Sequence, residues 1–366
     1  MITKGDEYPL HQTPEPIAYT GANRNFYDRF FFNGYCADGS VFFAAAMGIY
    51  PYLNILDGAF SVVVDGVQHN VYASRVLHME RLDTHVGPIS VEIRQPLRVL
   101  GLRCDDQEHG VKADLTFTAR CEVQEEPRFT RRSGSQILMD STRMTQNGCW
   151  SGWIEIQGRR FDINDAEYRG TRDRSWGIRG VGESDPQPNP EGGGMSQFYW
   201  LWAPLNFDDC ATLYHLNDDA EGLAWNSNGV VIPLLEQGES ERMARASSEL
   251  TFYSGRRHAE SARITFERRD GEHISIELTT QWNFYMRGIG YTHPEWRHGK
   301  YHGELATGYD EFVISDVPAT DLHVQAFCQA KLSTPEAELT GQGVLEQLII
   351  GPHKPSGFKE LLDMAP

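Results

Sequence analysis

The sequence predicts an all-β protein whose antiparallel sheets form sandwiches or barrels. Short segments with alternating polar and apolar residues recur along the 366 residues, as half-buried strands require. Turn dipeptides that contain glycine separate several of these segments. Helical patterns between the strands are almost absent, which argues against a doubly wound parallel sheet.

Three hairpins are the clearest elements. In residues 59–74, two apolar strands flank the dipeptide Asp65-Gly66, which favours the type I′ turn of antiparallel hairpins. Two further hairpins have the same alternation, residues 153–163 around Gln157-Gly158 and residues 262–278 around Asp270-Gly271. Other strands are predicted at 89–94, 97–104, 111–123, 197–202, 211–216, 311–315, 322–331 and 345–350. Only residues 355–363 have a helical pattern.

Length and composition predict two domains. A chain of 366 residues exceeds the roughly 250–300 residues at which a single core usually stops growing. Residues 184–194 contain three prolines, three glycines and no apolar residue, which is typical of an exposed connection. We therefore expect an N-terminal β domain at 1–183, a connection at 184–194 and a C-terminal β domain at 195–366. No sequence repeat relates the two halves.

The charge balance narrows the choice of partners. With 51 acidic and 33 basic residues, the net charge of −18 disfavours binding to nucleic acid or to an anionic membrane surface. A hydrophobic small molecule is the expected partner, and whether the chain forms a homodimer stays open. Charges near the N-terminus and the lack of a long apolar run predict a cytoplasmic protein without integral membrane association.

Several cofactor signatures are missing from the sequence. The six cysteines form no C-x-x-C pair, which indicates free thiols. The chain has no P-loop, no dinucleotide-binding G-x-G-x-x-G, no G-x-S-x-G elbow and no H-E-x-x-H. We therefore predict no cofactor and no metal.

Asp173 is the first candidate for chemistry. It lies among three arginines in residues 169–177, three positions before Trp176. On an extended strand, the flanking Arg172 and Arg174 point to the face opposite Asp173. Burial beside Trp176 would raise the pKa of Asp173, whereas nearby guanidinium groups would lower it. The alternative is a structural ion pair between Asp173 and an arginine, with Trp176 in the core.

A second group of candidates is aromatic. Trp200 and Trp202 share one face of a predicted strand and Tyr199 lies on the other, while Trp282 occurs further along the chain. Facing a cavity, such rings would bind an apolar ligand and stabilise a developing cation. The alternative is ordinary core packing.

A third group lies in residues 288–304, which contain three histidines. We expect His293, His298 and Tyr301 to place water or a polar substituent of a substrate, and Trp296 to contact the substrate. A metal site is an alternative, with ligands from His293, Glu295, His298 and His302. Outside this segment, we interpret Glu346, a lone acid in an apolar strand, as part of a buried ion pair.

The sequence Asp173-x-x-Trp176-Gly177 resembles the D-x-x-W-G signature of the hydroxyneurosporene synthase and AttH-like group. This lipocalin-like superfamily includes carotenoid 1,2-hydratases, and the chain looks most similar to an uncharacterised bacterial branch. The resemblance implies two lipocalin-like β-barrel or sandwich domains and an acid that protonates an isoprenoid double bond, at Asp173. Thr171 and Arg174 depart from the carotenoid hydratase pattern, which leaves the substrate open.

The leading hypothesis is a cofactor-independent hydratase, lyase or isomerase (cyclase) that acts on an isoprenoid, terpenoid or polycyclic substrate. Asp173 would be its general acid, with Trp176, Trp200 and Trp202 in the pocket wall. One alternative is a carrier, because lipocalin-type barrels commonly hold a small apolar ligand without reacting with it. A carbohydrate-active β-sandwich and a metal-dependent enzyme are further alternatives.

Overall fold

The protein is 61% β-strand and 4% helix, which confirms the predicted all-β fold class. The computed structural model describes residues 4–8, 17–19, 21–183, 196–335 and 337–366. The predicted connection at 184–194 lies outside the described residues. No helix in the described part of the chain has the length and hydropathy needed to cross a membrane.

The strands before residue 184 are β1 (Phe26–Cys36), β2 (Val41–Tyr50), β3 (Ile55–Val64), β4 (Val67–Val76), β5 (His85–Val86), β6 (Ile89–Gln95), β7 (Val99–Asp106), β8 (Val111–Ala119), β9 (Gln124–Glu125), β10 (Phe129–Ser133), β11 (Gln136–Ile156), β12 (Arg159–Ile163) and β13 (Tyr168–Ile178). The later strands are β14 (Phe198–Phe207), β15 (Cys210–Asp218), β16 (Ala224–Pro233), β17 (Glu241–Arg242), β18 (Arg245–Phe252), β19 (Ala259–Glu267), β20 (His273–Tyr285), β21 (Leu305–Val313), β22 (Val324–Ser333) and β23 (Glu338–Ile350). Short 3-10 helices occur at Lys4–Glu7, Ile17–Tyr19, Met286–Ile289, Ile314–Asp316 and Lys354–Ser356.

The first compact unit comprises the described part of Met1–Glu191 together with Arg287–Phe312. Its sheet has the order β21-β4-β3-β2-β1-β13-β11-β8-β7-β6-β5, and β9, β10 and β12 also pair with β11. One face of this sheet carries a large apolar core to which Phe30, Phe43, Phe60, Phe117 and Trp150 contribute. The strand β21 thus belongs to the first unit, although it comes from the second half of the sequence.

The second compact unit comprises the described part of Gly192–Met286 together with Val313–Pro366. Its nine strands form one sheet in the order β17-β16-β15-β14-β23-β22-β20-β19-β18. Leu201, Tyr214, Phe266 and Ile276 lie in its core.

At two of the three predicted hairpins, both central turn residues have positive φ. Asp65 and Gly66 have φ angles of 50° and 77°, and Gln157 and Gly158 have φ angles of 50° and 85°. Positive φ at both central residues is the type I′ geometry, which matches the twist of the two strands that it joins.

One element prediction is wrong, and several predicted strands end at other residues than the strands of the structure. Residues 355–363 do not form a helix, because the short 3-10 turn Lys354–Ser356 ends at Gly357, whose φ is 78°. The Asp363 carboxylate then accepts the backbone N–H groups of Lys359 and Glu360, which holds a non-helical turn. The strand predicted at 311–315 ends at Val313, where the chain enters the 3-10 turn Ile314–Asp316.

Candidate functional site

The candidate site lies on the face of the first sheet opposite the core. Strand register aligns Ser74, Asp57, Gly48, Arg29 and Ser175 in one row across β4, β3, β2, β1 and β13. Phe30 and Leu56, which adjoin Arg29 and Asp57 in the sequence, are core residues, so alternation places this row on the other face. The row therefore brings an acid and a guanidinium to one surface, with a glycine between them.

A segment from the second half of the sequence lies against this face. We call residues 287–304 the covering segment, and it is anchored where the Ser61 hydroxyl donates a 2.6 Å hydrogen bond to the Gly288 carbonyl. Between the segment and the sheet is a cleft that opens to solvent, which we call the Asp57 cavity. Its enclosed part has room for about one water molecule.

Asp57 is the one carboxylate among the described residues that line the cavity. Its Oδ1 accepts a 3.1 Å hydrogen bond from the Tyr50 hydroxyl, and its Oδ2 accepts a 2.6 Å bond from the Gly299 backbone N–H. Burial raises the pKa of Asp57 to about 6, although the Gly299 bond and the charge of Arg29 oppose the rise. The carboxyl group therefore exchanges its proton much closer to neutral pH than an ordinary aspartate does.

Arg29 and Arg179 converge on His298. The Nη1 atom of Arg29 and the Nη2 atom of Arg179 each lie 3.1 Å from Nδ1 of His298. A guanidinium can only donate, so Nδ1 accepts both bonds and the ring proton lies on Nε2, 2.9 Å from the Ile289 carbonyl oxygen. This pattern assigns a neutral His298, held in one orientation by two cations and one backbone carbonyl.

The aromatic wall of the cavity is formed by Tyr72 and Trp296. Their rings are stacked, with centroids 5.6 Å apart and planes 5° from parallel. The Tyr72 hydroxyl donates a 3.2 Å hydrogen bond to Oδ1 of Asp310. Burial alone would raise the pKa of Asp310, but hydrogen bonds from His293 and other neighbours outweigh burial and lower it. Asp310 is therefore a charged anchor behind the wall.

His293 fixes the turn that presents Trp296. Its Nε2 lies 3.1 Å from Oδ2 of Asp310, and its Nδ1 accepts the backbone N–H groups of Glu295 and Trp296 at 3.1 and 2.8 Å. Both ring nitrogens are thus engaged within the fold. This geometry suits a residue that positions the aromatic wall.

The other predicted residues of the covering segment differ in whether they line the cavity. Trp296 and His298 line the cavity, as do Lys300 and His302. Tyr301 lies outside the lining residues and is 68% exposed. His302 stacks on Trp296, with ring centroids 4.4 Å apart. In the part of the chain that the structure describes, no three His, Cys, Asp or Glu side chains converge as metal ligands would.

Asp173 lies on the same sheet face as Arg29 but does not line the cavity. It pairs with Phe31 of β1, so it is three strands away from β3, which carries Asp57. The flanking arginines do point to the opposite face, where Arg172 and Arg174 form buried ion pairs of 2.6 Å with Glu7 and 2.7 Å with Asp28.

Trp176 does not share the face of Asp173. It is three positions further along β13, and alternation gives it the face of the buried arginines. The catalytic role predicted for Asp173 stays a prediction.

The aromatic residues predicted around β14 belong to the second unit, and they do not line the Asp57 cavity. Tyr199 lies in the core of that unit, and Trp202 is fully buried. The Trp200 indole N–H donates a 3.2 Å bond to Oε1 of Glu346, and Nε2 of His323 lies 2.9 Å from the same oxygen. Glu346 thus has the buried partner that the sequence predicts. Trp282 packs against Phe327, with ring centroids 5.7 Å apart.

Sequence reasoning missed both Asp57 and Arg29. Their strands are buried on both faces, so β1, β2 and β3 show no alternation. The sequence signal that could have found them is a charged residue inside an apolar segment. Such residues are rarely buried unless their charge has a partner or a function.

A family model described as a family of unknown function (DUF8625) matches residues 2–359. No curated protein has a sequence significantly similar to this chain.

Solved structures with a similar fold include kievitone hydratase from Nectria haematococca, with a TM-score of 0.55, 11% identity, and coverage of 88% of this chain and 89% of that chain. A putative AttH from Nitrosomonas europaea has a TM-score of 0.54 and 12% identity, over 93% and 97% of the two chains. CghA with Sch210972 has a TM-score of 0.54 and 11% identity, over 94% and 97%. At such identities the likeness concerns the fold, and it agrees with the AttH-like, lipocalin-like architecture implied by the sequence.

Proposed function

The chain belongs to the DUF8625 family of unknown function, and we propose that it is a cofactor-independent enzyme that transfers a proton to a carbon of a hydrophobic small molecule. One observation carries this proposal. A partly buried carboxyl group, that of Asp57, is held by Tyr50 and Gly299 at the wall of a cavity that also presents the rings of Tyr72 and Trp296.

The chemistry follows from the environment of Asp57. A general acid works best when its pKa lies near the working pH, and burial brings the pKa of Asp57 to about 6. The protonated carboxyl would deliver its proton to one carbon of a substrate double bond, leaving a cation on the other carbon. The rings of Tyr72 and Trp296, which line the same cavity, would shield that charge from water.

Three outcomes are open to the cation, and each restores the acid. In hydration, water adds to the cation and returns a proton to the Asp57 carboxylate. In isomerisation, the cation loses a proton from a neighbouring carbon. In cyclisation, a second double bond attacks the cation before the proton is lost. The double bond of an isoprenoid, terpenoid or polycyclic substrate suits this chemistry, and the fold shared with kievitone hydratase supports it. Because the enclosed part of the cavity has room for about one water molecule, the body of such a substrate would lie in the open mouth.

The test is turnover in D₂O with a panel of prenylated phenols, including kievitone, and linear isoprenoids. Mass spectrometry should detect deuterium at the protonated carbon, with added water if the reaction is hydration. Asp57→Asn should lower the rate by about 100-fold or more, because a general acid contributes that much. Asp162→Asn, the same change at an exposed position, should leave the rate unchanged.

Asp173→Asn identifies the acid between the two candidate carboxylates. Loss of turnover in Asp173→Asn but not in Asp57→Asn would move the acid to β13. Recovery of bound panel compounds without any deuterium incorporation would instead support the carrier alternative.

A further inference from the structure

We infer that the Asp57 cavity recognises its ligand through an acidic oxygen, such as a carboxylate, phenolate or enolate, bound at Arg29. The inference rests on the proposed function for one point, that the ligand binds in the Asp57 cavity. It adds the substrate class, a small apolar or aromatic body that carries one anionic oxygen.

The charge of the cavity is opposite to that of the chain. The protein carries a net charge of −18, yet the cavity is lined by Arg29, Arg297 and Lys300, and Asp57 is the one acid among the described lining residues. Glu183 lies 3.4 Å from Arg297 and 3.6 Å from Lys300, and its side chain is 65% exposed. One solvated carboxylate thus balances two of the cations only weakly.

Arg29 is the deepest of these cations. It is 2% exposed, and its charge lowers the pKa of Asp57, although burial outweighs this effect. Its hydrogen bonds go to neutral acceptors, Nδ1 of His298 at 3.1 Å and the Ile289 carbonyl at 3.3 Å. Its Nε has no acceptor in the described protein. Buried charges in proteins are normally paired, so this guanidinium is suited to an anion supplied by a ligand.

The neighbours of Arg29 reinforce this preference. Arg179 donates to the same nitrogen of His298, so two guanidinium groups lie beside a neutral imidazole. Tyr72 and Trp296, which line the same cavity, give the body of the ligand apolar ring contacts. An anion beside Arg29 would also favour the protonated form of Asp57, because like charges repel. Binding of the anion at Arg29 and protonation of Asp57 therefore favour each other.

The test compares benzoate with benzamide, a neutral molecule of nearly the same shape, by isothermal titration or by ligand-observed NMR. Benzoate should bind wild-type protein about 10-fold more tightly, the difference typical of a hydrogen bond to a charged group. Arg29→Gln should abolish this preference, and Arg29→Lys should retain part of it. Arg75→Gln is the matched control, because Arg75 also donates to backbone carbonyls of the first unit but does not line the cavity.

Equal affinity for benzoate and benzamide, or no binding of benzoate to wild-type protein, would overturn the inference. An unchanged preference in a folded Arg29→Gln protein would overturn it as well. If Arg29→Gln does not fold, the inference is tested by comparing benzoate with benzamide on the wild-type protein and on Arg29→Lys. If the protein does not prefer benzoate to benzamide but Asp57→Asn still abolishes turnover, the inferred anion site at Arg29 is wrong and the proposed function is retained.

Discussion

The Tyr50 hydroxyl donates a 3.1 Å hydrogen bond to Oδ1 of Asp57, and this approach requires a glycine at position 48. A Cβ atom at Gly48 would lie 2.2 Å from the Tyr50 hydroxyl oxygen and 2.9 Å from Oδ1 of Asp57. The smallest side chain at this position would therefore displace both partners of the hydrogen bond.

Gly48→Ala should lower the free energy of unfolding by about 1 to 3 kcal/mol, the usual effect of overpacking a tight site. Urea denaturation measures this change. Gly180→Ala is the control, because a Cβ at Gly180 meets no atom within 4 Å and its φ is not in the left-handed region. Equal stability of the two variants would contradict the tight contact at Gly48.

Asp57 should make stability depend on pH in a specific direction. Burial raises its pKa from 3.8 to about 6, against the opposing charges of Arg29 and Arg179, so the folded protein binds this proton more tightly than the unfolded chain does. The resulting stabilisation is full below about pH 4 and is lost as the pH rises through about 6. Relative to Asp57→Asn, wild-type protein should lose about 1 to 3 kcal/mol between about pH 4 and about pH 7. A stability difference that stays constant across this range would show that Asp57 is not desolvated.

His298 should be needed for the stability of the first unit. His298→Ala removes the nitrogen that accepts from both Arg29 and Arg179, which leaves these donors without that partner. We expect a loss of about 2 to 4 kcal/mol in the free energy of unfolding, measured by urea denaturation. His78→Ala should change it by less than about 1 kcal/mol, because the pair of His78 with Glu304 is exposed. Similar losses in the two variants would contradict the role of His298.

Glu346 should stabilise the second unit through its three hydrogen bonds. It accepts from Trp200, from Gln325 at 2.8 Å and from His323, and all of these groups are buried. Glu346→Ala should lower the free energy of unfolding by about 2 to 4 kcal/mol, because buried donors lose their acceptor. Glu272→Ala, at an exposed hairpin, is the control. Calorimetry of both variants checks the difference, and equal melting temperatures would contradict it.

The sequence predicts strands well where one face is buried and the other is wet. Strand β8 alternates in burial along its whole length, and the turn at Asp65-Gly66 has the φ angles that its residues favour. Strands β1 and β2 are buried on both faces, so their residues carry no period-two signal and both strands escaped prediction. Alternation of polar and apolar residues therefore reveals a strand that is buried on one face. It does not reveal a strand that is buried on both faces.

Some residues of the candidate site could be predicted from the sequence, and others could not. Trp296 and His298 were found because the covering segment concentrates polar and aromatic residues within a few positions of the sequence. Asp57 and Arg29 are brought into one row by strand register, which no local pattern encodes. Tyr301 belongs to the same dense segment, yet its side chain is exposed, because proximity in sequence does not fix where a loop residue points.

The return of Arg287–Phe312 to the first unit has a consequence for biosynthesis. When the ribosome has made the strands that carry Arg29 and Asp57, the segment that closes over them still awaits translation. Until β21 emerges, β4 presents an unpaired edge to which other chains can add. A nascent chain must therefore shield this edge while the residues between Val76 and Leu305, about 230 of them, are synthesised, and the cavity is among the last parts of the first unit to form.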